Sequence, residues 1–135
     1  MRQADLLPEL LSGDPSPEAI RALAAGLQRW MSDDSPRPIG LHRHLGLGCP
    51  RAARMSLRDS YLIKAAELLE GPALWQRCRQ LAEAARAFEA RRWPLWHRLK
   101  SPPSHATEVD CLLWQARRLG DLPVNPEGFL PILRD

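Results

Sequence analysis

Proline and glycine divide this chain into short segments, and their positions limit what the chain can fold into more than any other feature. The 135 residues include 13 prolines and 8 glycines, and most of the prolines lie between stretches of regularly spaced apolar residues. Proline neither continues a helix nor pairs in the middle of a sheet, so each one tends to mark the boundary of an element. The chain is therefore expected to form short elements joined by tight turns.

Apolar residues within these segments recur at the spacing of a helix. The clearest stripe comprises Ile20, Leu23, Ala24, Leu27, Trp30 and Met31, and similar stripes occupy residues 57–69, 74–88 and 109–119. No segment alternates apolar and polar residues over more than four or five positions, and β-branched residues are scarce, so a sheet is not expected. The sequence predicts an all-α fold, a compact bundle of about five to six helices with short Pro/Gly-punctuated turns.

The length and the helix boundaries predict the domain organisation. A chain of 135 residues has room for one core, so a single helical domain over residues 1–135 is expected. Ser16 followed by Pro17 has the pattern of a helix N-cap and first turn, and Asn125 followed by Pro126 has the same pattern near the C-terminus. The polar, proline-containing stretch over residues 33–40 is the best candidate for a hinge.

Composition indicates a globular protein in a reducing compartment. Hydrophobic residues make up 44% of the chain and charged residues 26%, and no apolar run approaches the roughly 18 residues that a membrane span requires. The N-terminal residues lack the pattern of a signal peptide. Cys49, Cys78 and Cys111 are odd in number and widely spaced, which favours reduced thiols. A cytoplasmic location with no membrane partner is expected.

Positive charge is concentrated in the middle of the chain. Residues 37–100 carry a net charge of +8, whereas the two flanking segments are net acidic, and only two of the 19 cationic residues are lysine. Two basic sets lie in this middle region. The first is Arg51, Arg54 and Arg58, spaced as one face of a helix; the second is Arg91, Arg92, Trp93, Trp96, Arg98 and Lys100. Arginine with tryptophan is typical of protein-binding hot spots and of stacking on nucleic-acid bases.

The other three tryptophans differ from this pair in their sequence context. Trp30 and Trp75 lie on apolar stripes and are predicted to be core residues, while Trp114 lies beside the stripe of residues 109–119 and is not assigned to it. Of Trp93 and Trp96, one is expected to be buried.

No motif assigns a catalytic or metal-binding residue. His42, His44 and Cys49 lie close together in sequence, but their irregular spacing lacks the paired ligands of a zinc site. The sequence thus predicts no metal and no cofactor. Cys49 precedes Pro50 at a predicted helix start, where the helix dipole and nearby arginines lower the pKa of a thiol. A cysteine-dependent enzyme with His42 or His44 as the base is a remote alternative, because nothing assigns an oxyanion hole.

The C-terminal part of the chain resembles an element of phage proteins. Residues 108–123 read EVDCLLWQARRLGDLP, and a short apolar segment with Phe129, Leu130 and Ile132 follows. This arrangement is similar to a helix–GxLP–helix element found in phage and prophage proteins. The resemblance covers residues 108–133 and implies an origin in a prophage or other mobile element.

These observations predict a small, non-enzymatic, helical binding protein. The expected partner is a protein, bound through the Arg/Trp-rich surface formed by the two basic sets, and a phage or prophage accessory protein fits this description. The alternative is a nucleic-acid-binding protein that uses the basic middle of the chain, which requires both basic sets to lie on one continuous face. A monomer and a homodimer both remain open, because the stripe over residues 74–88 can close one core or pair two chains.

Overall fold

The protein is all-α, as the sequence predicts. The computed structural model describes residues 3–47 and 49–134, and within them it contains helices and no strand. The helices are α1 (Gln3–Leu11), α2 (Pro17–Met31), α3 (Leu41–His44), α4 (Pro50–Glu67), α5 (Leu74–Arg91), α6 (Trp93–Trp96), α7 (Glu108–Leu119) and α8 (Pro126–Leu133). This is two more than the upper predicted number, because α3 and α6 are single turns. None of these helices is both long enough and apolar enough to cross a membrane.

Local sequence explains most of the helix ends. The Ser16 hydroxyl accepts a hydrogen bond from the Ala19 N–H (3.2 Å) and caps α2, and Thr107 caps α7 by accepting from the Asp110 N–H (3.1 Å). Gly13, after α1, has a φ of +85°, a conformation that glycine adopts without strain. The predicted N-cap of α2 is confirmed. Asn125 occupies the N-cap position of α8 as predicted, but its side chain makes no capping hydrogen bond.

The residues cluster into two compact units, Met1–Leu57 and Arg58–Asp135. The boundary falls inside α4 and not at residues 33–40, where the sequence pattern placed the best candidate for a hinge. In that segment, Asp33 accepts hydrogen bonds from the backbone N–H groups of Ser35 (3.2 Å) and Ile39 (3.1 Å). The prediction of a single domain stays a prediction.

In the N-terminal unit, α2 packs against α1 and α3. Gly26 of α2 is buried, and a Cβ atom at this position would overlap the Leu45 side chain just after α3. The Arg29 guanidinium donates to the His44 carbonyl oxygen (2.7 Å) and joins the same two helices. The lack of a side chain at Gly26 is therefore what lets the two helices approach.

In the C-terminal unit, a single apolar core forms around α5, which packs most extensively against α8. Every helix of the unit contributes to it. The core residues are Leu62, Ala65, Ala66, Cys78, Leu81, Ala82, Ala85, Phe88, Trp96, Leu113, Trp114, Ala116, Leu122 and Phe129. The predicted stripe on α5 is thus buried from Cys78 to Phe88.

Candidate functional site

The most distinctive surface lies at residues 91–100, which we call the α5–α6 corner. The α5 helix ends at Arg91, and α6 begins two residues later at Trp93, with Pro94 in its first turn. Proline lacks the N–H that would continue the hydrogen-bond ladder of α5, so the chain changes direction here. The inner side of the corner belongs to the core, since Trp96 is a core residue and Trp93 packs against the core.

Trp96 is a core residue of the corner. Its side chain is only 8% exposed, its ring packs edge-on against Phe88 with centroids 6.2 Å apart, and its carbonyl oxygen accepts a hydrogen bond from the Trp114 indole N–H (3.1 Å). The expectation that one of the two indoles is buried is confirmed. As a result, Trp96 packs beneath the exposed residues of the corner, and little of its own surface is accessible to a partner.

Trp93 is partly buried and its ring is already surrounded. The Arg117 guanidinium carbon lies 4.9 Å from the ring centroid, in cation–π geometry. The rings of Phe88 and His97 lie 6.1 Å and 5.9 Å away, centroid to centroid. Both indoles that sequence reasoning assigned to partner binding therefore have intramolecular packing roles.

Arg92 ties the corner to α7. Its Nε–H donates to Asp110 Oδ2 (2.7 Å), and its guanidinium carbon lies 5.8 Å from the centroid of the Trp96 ring. The Arg92 side chain remains 38% exposed. Arg92 therefore has a structural role and keeps part of its guanidinium accessible.

The outer side of the corner combines exposed apolar groups with cations. Leu95 is 75% exposed and Leu99 is 43% exposed. Arg91, Arg98 and Lys100 are exposed as well, and no described carboxylate forms an ion pair with any of them. We call the set of Arg91, Leu95, Arg98, Leu99 and Lys100 the basic–apolar surface.

Sequence reasoning missed the two leucines of this surface. One signal was present: Trp93 and Trp96 are three residues apart and so share one side of a helical turn, which places Leu95 on the other side. If the side of the turn with the two indoles packs on the core, Leu95 on the opposite side is expected to be exposed.

The arginines of α4 do not form the uniform stripe that their spacing indicates. Arg51 and Arg54 are exposed in the N-terminal unit. Arg58, in the C-terminal unit, has a side chain only 11% exposed, because its guanidinium donates to Asp59 Oδ1 (2.7 Å) and to the Asp121 carbonyl oxygen (2.7 Å). Arg58 is thus engaged within its own unit, and its assignment as a partner-binding residue stays a prediction.

Cys49 and the two histidines near it make separate contacts among the described residues. Cys49 is exposed, and the Ala52 N–H donates to its sulfur (3.4 Å), a bond that lowers the pKa of the thiol. No described histidine hydrogen-bonds this sulfur. Over residues 3–47 and 49–134, no group of three His, Cys, Asp or Glu side chains could hold a metal ion.

His44 instead pairs with Asp33. The His44 Nε2 and Asp33 Oδ2 atoms are 3.2 Å apart. The Ser35 hydroxyl donates to Asp33 Oδ1 (2.6 Å), and this bond, ahead of the others, lowers the pKa of Asp33 to about 2. His44 therefore helps to order the segment between α2 and α3.

A second exposed apolar region lies in the N-terminal unit. Ile20, Trp30 and Met31 of α2 are all exposed, at 52%, 45% and 75%. The prediction that Trp30 is a core residue is wrong, and the same holds for Trp75, which is 44% exposed at the start of α5. Trp114, which was not assigned to a stripe, is instead the largest fully buried side chain.

A shallow cleft adjoins the basic–apolar surface at the start of α7. It has a volume of about 200 Å³. Its lining consists of Arg91, Arg92, Leu95, Trp96, His105, Ala106, Thr107 and Asp110.

Compared with known proteins, the chain matches no protein-family model, no curated protein sequence and no solved structure. The fold class and the basic–apolar surface are therefore the observations on which a function is proposed.

Proposed function

We propose that this chain is a non-enzymatic helical binding protein and that the basic–apolar surface contacts a protein partner. The observation that carries the proposal is Leu95, which is three-quarters exposed and is accompanied by cations that form no ion pair with any described carboxylate. An apolar side chain held outward by a buried scaffold loses little conformational entropy on binding. The exposed groups on α2 support the same class of function.

The chemistry of this surface specifies a complementary partner. Arginine is enriched in protein interfaces, and binding energy concentrates where an apolar group is excluded from water by its neighbours. Arg91, Arg98 and Lys100 favour acidic residues on the partner and raise the rate of encounter. We therefore expect a partner segment in which acidic and apolar residues lie side by side.

Nucleic acid remains the alternative partner. The positive middle of the chain and the exposed Arg51 and Arg54 favour it. Base stacking, however, needs an accessible aromatic ring, and in the corner Trp96 is buried while Arg117 already lies over Trp93. These contacts favour a protein partner.

The proposal also covers the origin and the location of the protein. A phage or prophage origin rests on the resemblance of residues 108–133, and a cytoplasmic location rests on composition; both are part of the proposal. A cysteine-dependent enzyme is the remote alternative and rests only on the lowered pKa of the exposed Cys49 thiol.

Co-purification with matched variants tests the proposal. The wild-type chain is compared with a Leu95→Asp/Arg98→Glu variant in nuclease-treated extract of the native host. The control is Val124→Asp/Arg86→Glu, which makes the same charge change at an exposed apolar residue and an exposed arginine elsewhere in the C-terminal unit. Loss of a hot spot costs about 2 kcal/mol or more, so the first variant should bind a specific partner about thirtyfold more weakly.

Two outcomes would contradict this proposal. Equal capture of the same partner by both variants would exclude the basic–apolar surface. Capture that disappears on nuclease treatment, together with a shift of DNA or RNA at low salt that is lost in Arg91→Glu/Arg92→Glu, would establish the nucleic-acid alternative.

A further inference from the structure

The cleft beside Leu95 brings together hydrogen-bond donors from two separate parts of the C-terminal unit. Arg91 and Arg92 come from the end of α5, and His105 and Thr107 come from the segment that leads into α7. The Trp96 ring forms one wall, with the His105 ring edge-on to it at 6.0 Å. Side chains distant in sequence thus converge on one small volume.

Several side-chain donors in the cleft have no acceptor among the described residues. Among the described residues, the side-chain hydrogen bond of Arg92 involves only its Nε, which leaves both Nη groups unused, and the Arg91 side chain makes no hydrogen bond. The Thr107 oxygen accepts from the Asp110 N–H, which leaves its own hydroxyl hydrogen to donate. The Asp110 carboxylate, the one acidic group of the lining, is already held by Arg92.

We propose that this cleft binds a single carboxylate, that of a Glu or Asp side chain next to an apolar residue in the partner protein. The inference rests on the proposed function, since it identifies the group that the partner places beside Leu95. An Arg fork is suited to a carboxylate, and the exposed Leu95 on the rim would contact the neighbouring apolar side chain.

The charge of the cleft favours a carboxylate over a phosphomonoester. Two arginines face one aspartate, so these three side chains have one cationic charge in excess. A monoanion balances this excess, whereas a phosphomonoester carries about two negative charges and would leave one unpaired. The volume, about 200 Å³, also suits the end of one acidic side chain better than a nucleotide.

Titration with blocked tripeptides, followed by NMR, tests the inference on the full chain. The probe is acetyl-Leu-Glu-Leu-amide and the neutral control is acetyl-Leu-Gln-Leu-amide. The Glu peptide should shift the Arg92 Nε–H and the Thr107 amide signals saturably, and the Gln peptide should bind about tenfold more weakly, the effect of losing one charge-assisted interaction.

A matched pair of variants then locates the site. Arg91→Gln should reduce the affinity for the Glu peptide about tenfold, while Arg86→Gln, an equally exposed change on the same helix outside the cleft, should leave it unaltered. Because the Arg91 side chain makes no hydrogen bond to any described residue, its replacement should leave the unfolding temperature unchanged.

The outcomes separate this inference from the proposed function. Equal binding of the Glu and Gln peptides, or stronger binding of inorganic phosphate than of the Glu peptide, would overturn the carboxylate site. If partner capture depends on Leu95 and Arg98 but not on Arg91 or His105, the function stands and the cleft has no part in it. If the Glu peptide binds as expected but Leu95→Asp/Arg98→Glu captures the partner normally, the carboxylate site stands and the proposed role of the basic–apolar surface is contradicted.

Discussion

The three cysteines differ in exposure and in the groups that surround their sulfur atoms. Cys49 is exposed and accepts a hydrogen bond from the Ala52 N–H, Cys78 is fully buried in the core of the C-terminal unit, and Cys111 is intermediate. All three are free cysteines. Their reactivity should therefore be set by position rather than by residue type.

Alkylation should modify Cys49 first. The bond from Ala52 lowers the pKa of Cys49, so more of it is thiolate at a given pH, whereas burial raises the pKa of Cys78 and shields it. Since the thiolate is the reactive form, we expect Cys49 to react with iodoacetamide at least about tenfold faster than Cys78 near neutral pH. Peptide mass mapping over time measures both rates.

Unfolding provides the control for this difference. In denaturant the two thiols lose their environments, and their rates should converge. A folded protein in which Cys78 reacts as fast as Cys49 would show that the C-terminal core is open to reagent.

At the scale of elements, the contact between α2 and α3 depends on one missing side chain. Gly26 lies in the middle of α2, where glycine costs about 1 kcal/mol relative to alanine. That cost is offset by packing, since Leu45 and the His44 carbonyl occupy the space that a Cβ atom would need. Helix propensity and tertiary packing therefore oppose each other at this position.

In Gly26→Ala, the unfavourable effect on packing should exceed the favourable effect on helix propensity. The added methyl group forces Leu45 away, and overpacking costs about 1–3 kcal/mol, more than the gain of about 1 kcal/mol in helix propensity. We expect the variant to lower the free energy of unfolding by about 1 kcal/mol in urea titrations followed by circular dichroism.

Two further variants check this interpretation. In a Leu45→Ala background, Gly26→Ala should be clearly less destabilising, because the Leu45 atoms that a Cβ atom would overlap are gone and only the contact with the His44 carbonyl oxygen remains. Ala24→Gly, at an exposed position of the same helix, should cost about 1 kcal/mol. A stabilising effect of Gly26→Ala in the wild-type background would disprove the close packing.

For the whole molecule, the tryptophans differ in burial, because tertiary structure places some in the core and leaves others exposed. Trp114 and Trp96 join α6 to α7 inside the C-terminal core through the indole-to-carbonyl hydrogen bond. Trp30 and Trp75 are almost half exposed. The basic–apolar surface is positioned by the first pair and not by the second.

Replacing a buried and an exposed tryptophan by phenylalanine should have unequal effects. Trp114→Phe removes the hydrogen bond to the Trp96 carbonyl oxygen and leaves a void, so we expect a loss of about 2–3 kcal/mol. Trp75→Phe should change stability by less than about 0.5 kcal/mol. The midpoint of urea unfolding, followed by circular dichroism, measures both, and equal losses would contradict the assignment of Trp114 to the core.

Part of the candidate site could be predicted from the sequence. The concentration of cations at residues 91–100 and the break at Pro94 are local properties, and the corner forms where they indicate. Leu95 and Leu99 could not be assigned to the surface, nor Arg58 to an interior hydrogen bond, because these depend on which neighbouring element covers each side chain. The Asp121 carbonyl that holds Arg58 is 63 residues away along the chain.

The sequence by itself determined the all-α class, the caps of α2 and α7 and the buried stripe of α5, because helix formation depends on residues within a few positions of one another. Only the tertiary structure decided which apolar residues are covered. The stripes of α2 and α5 have the same spacing, yet α5 is surrounded by other helices while Ile20, Trp30 and Met31 of α2 remain exposed. Periodicity shows that a helix has an apolar side; whether that side is buried depends on the elements that pack against it.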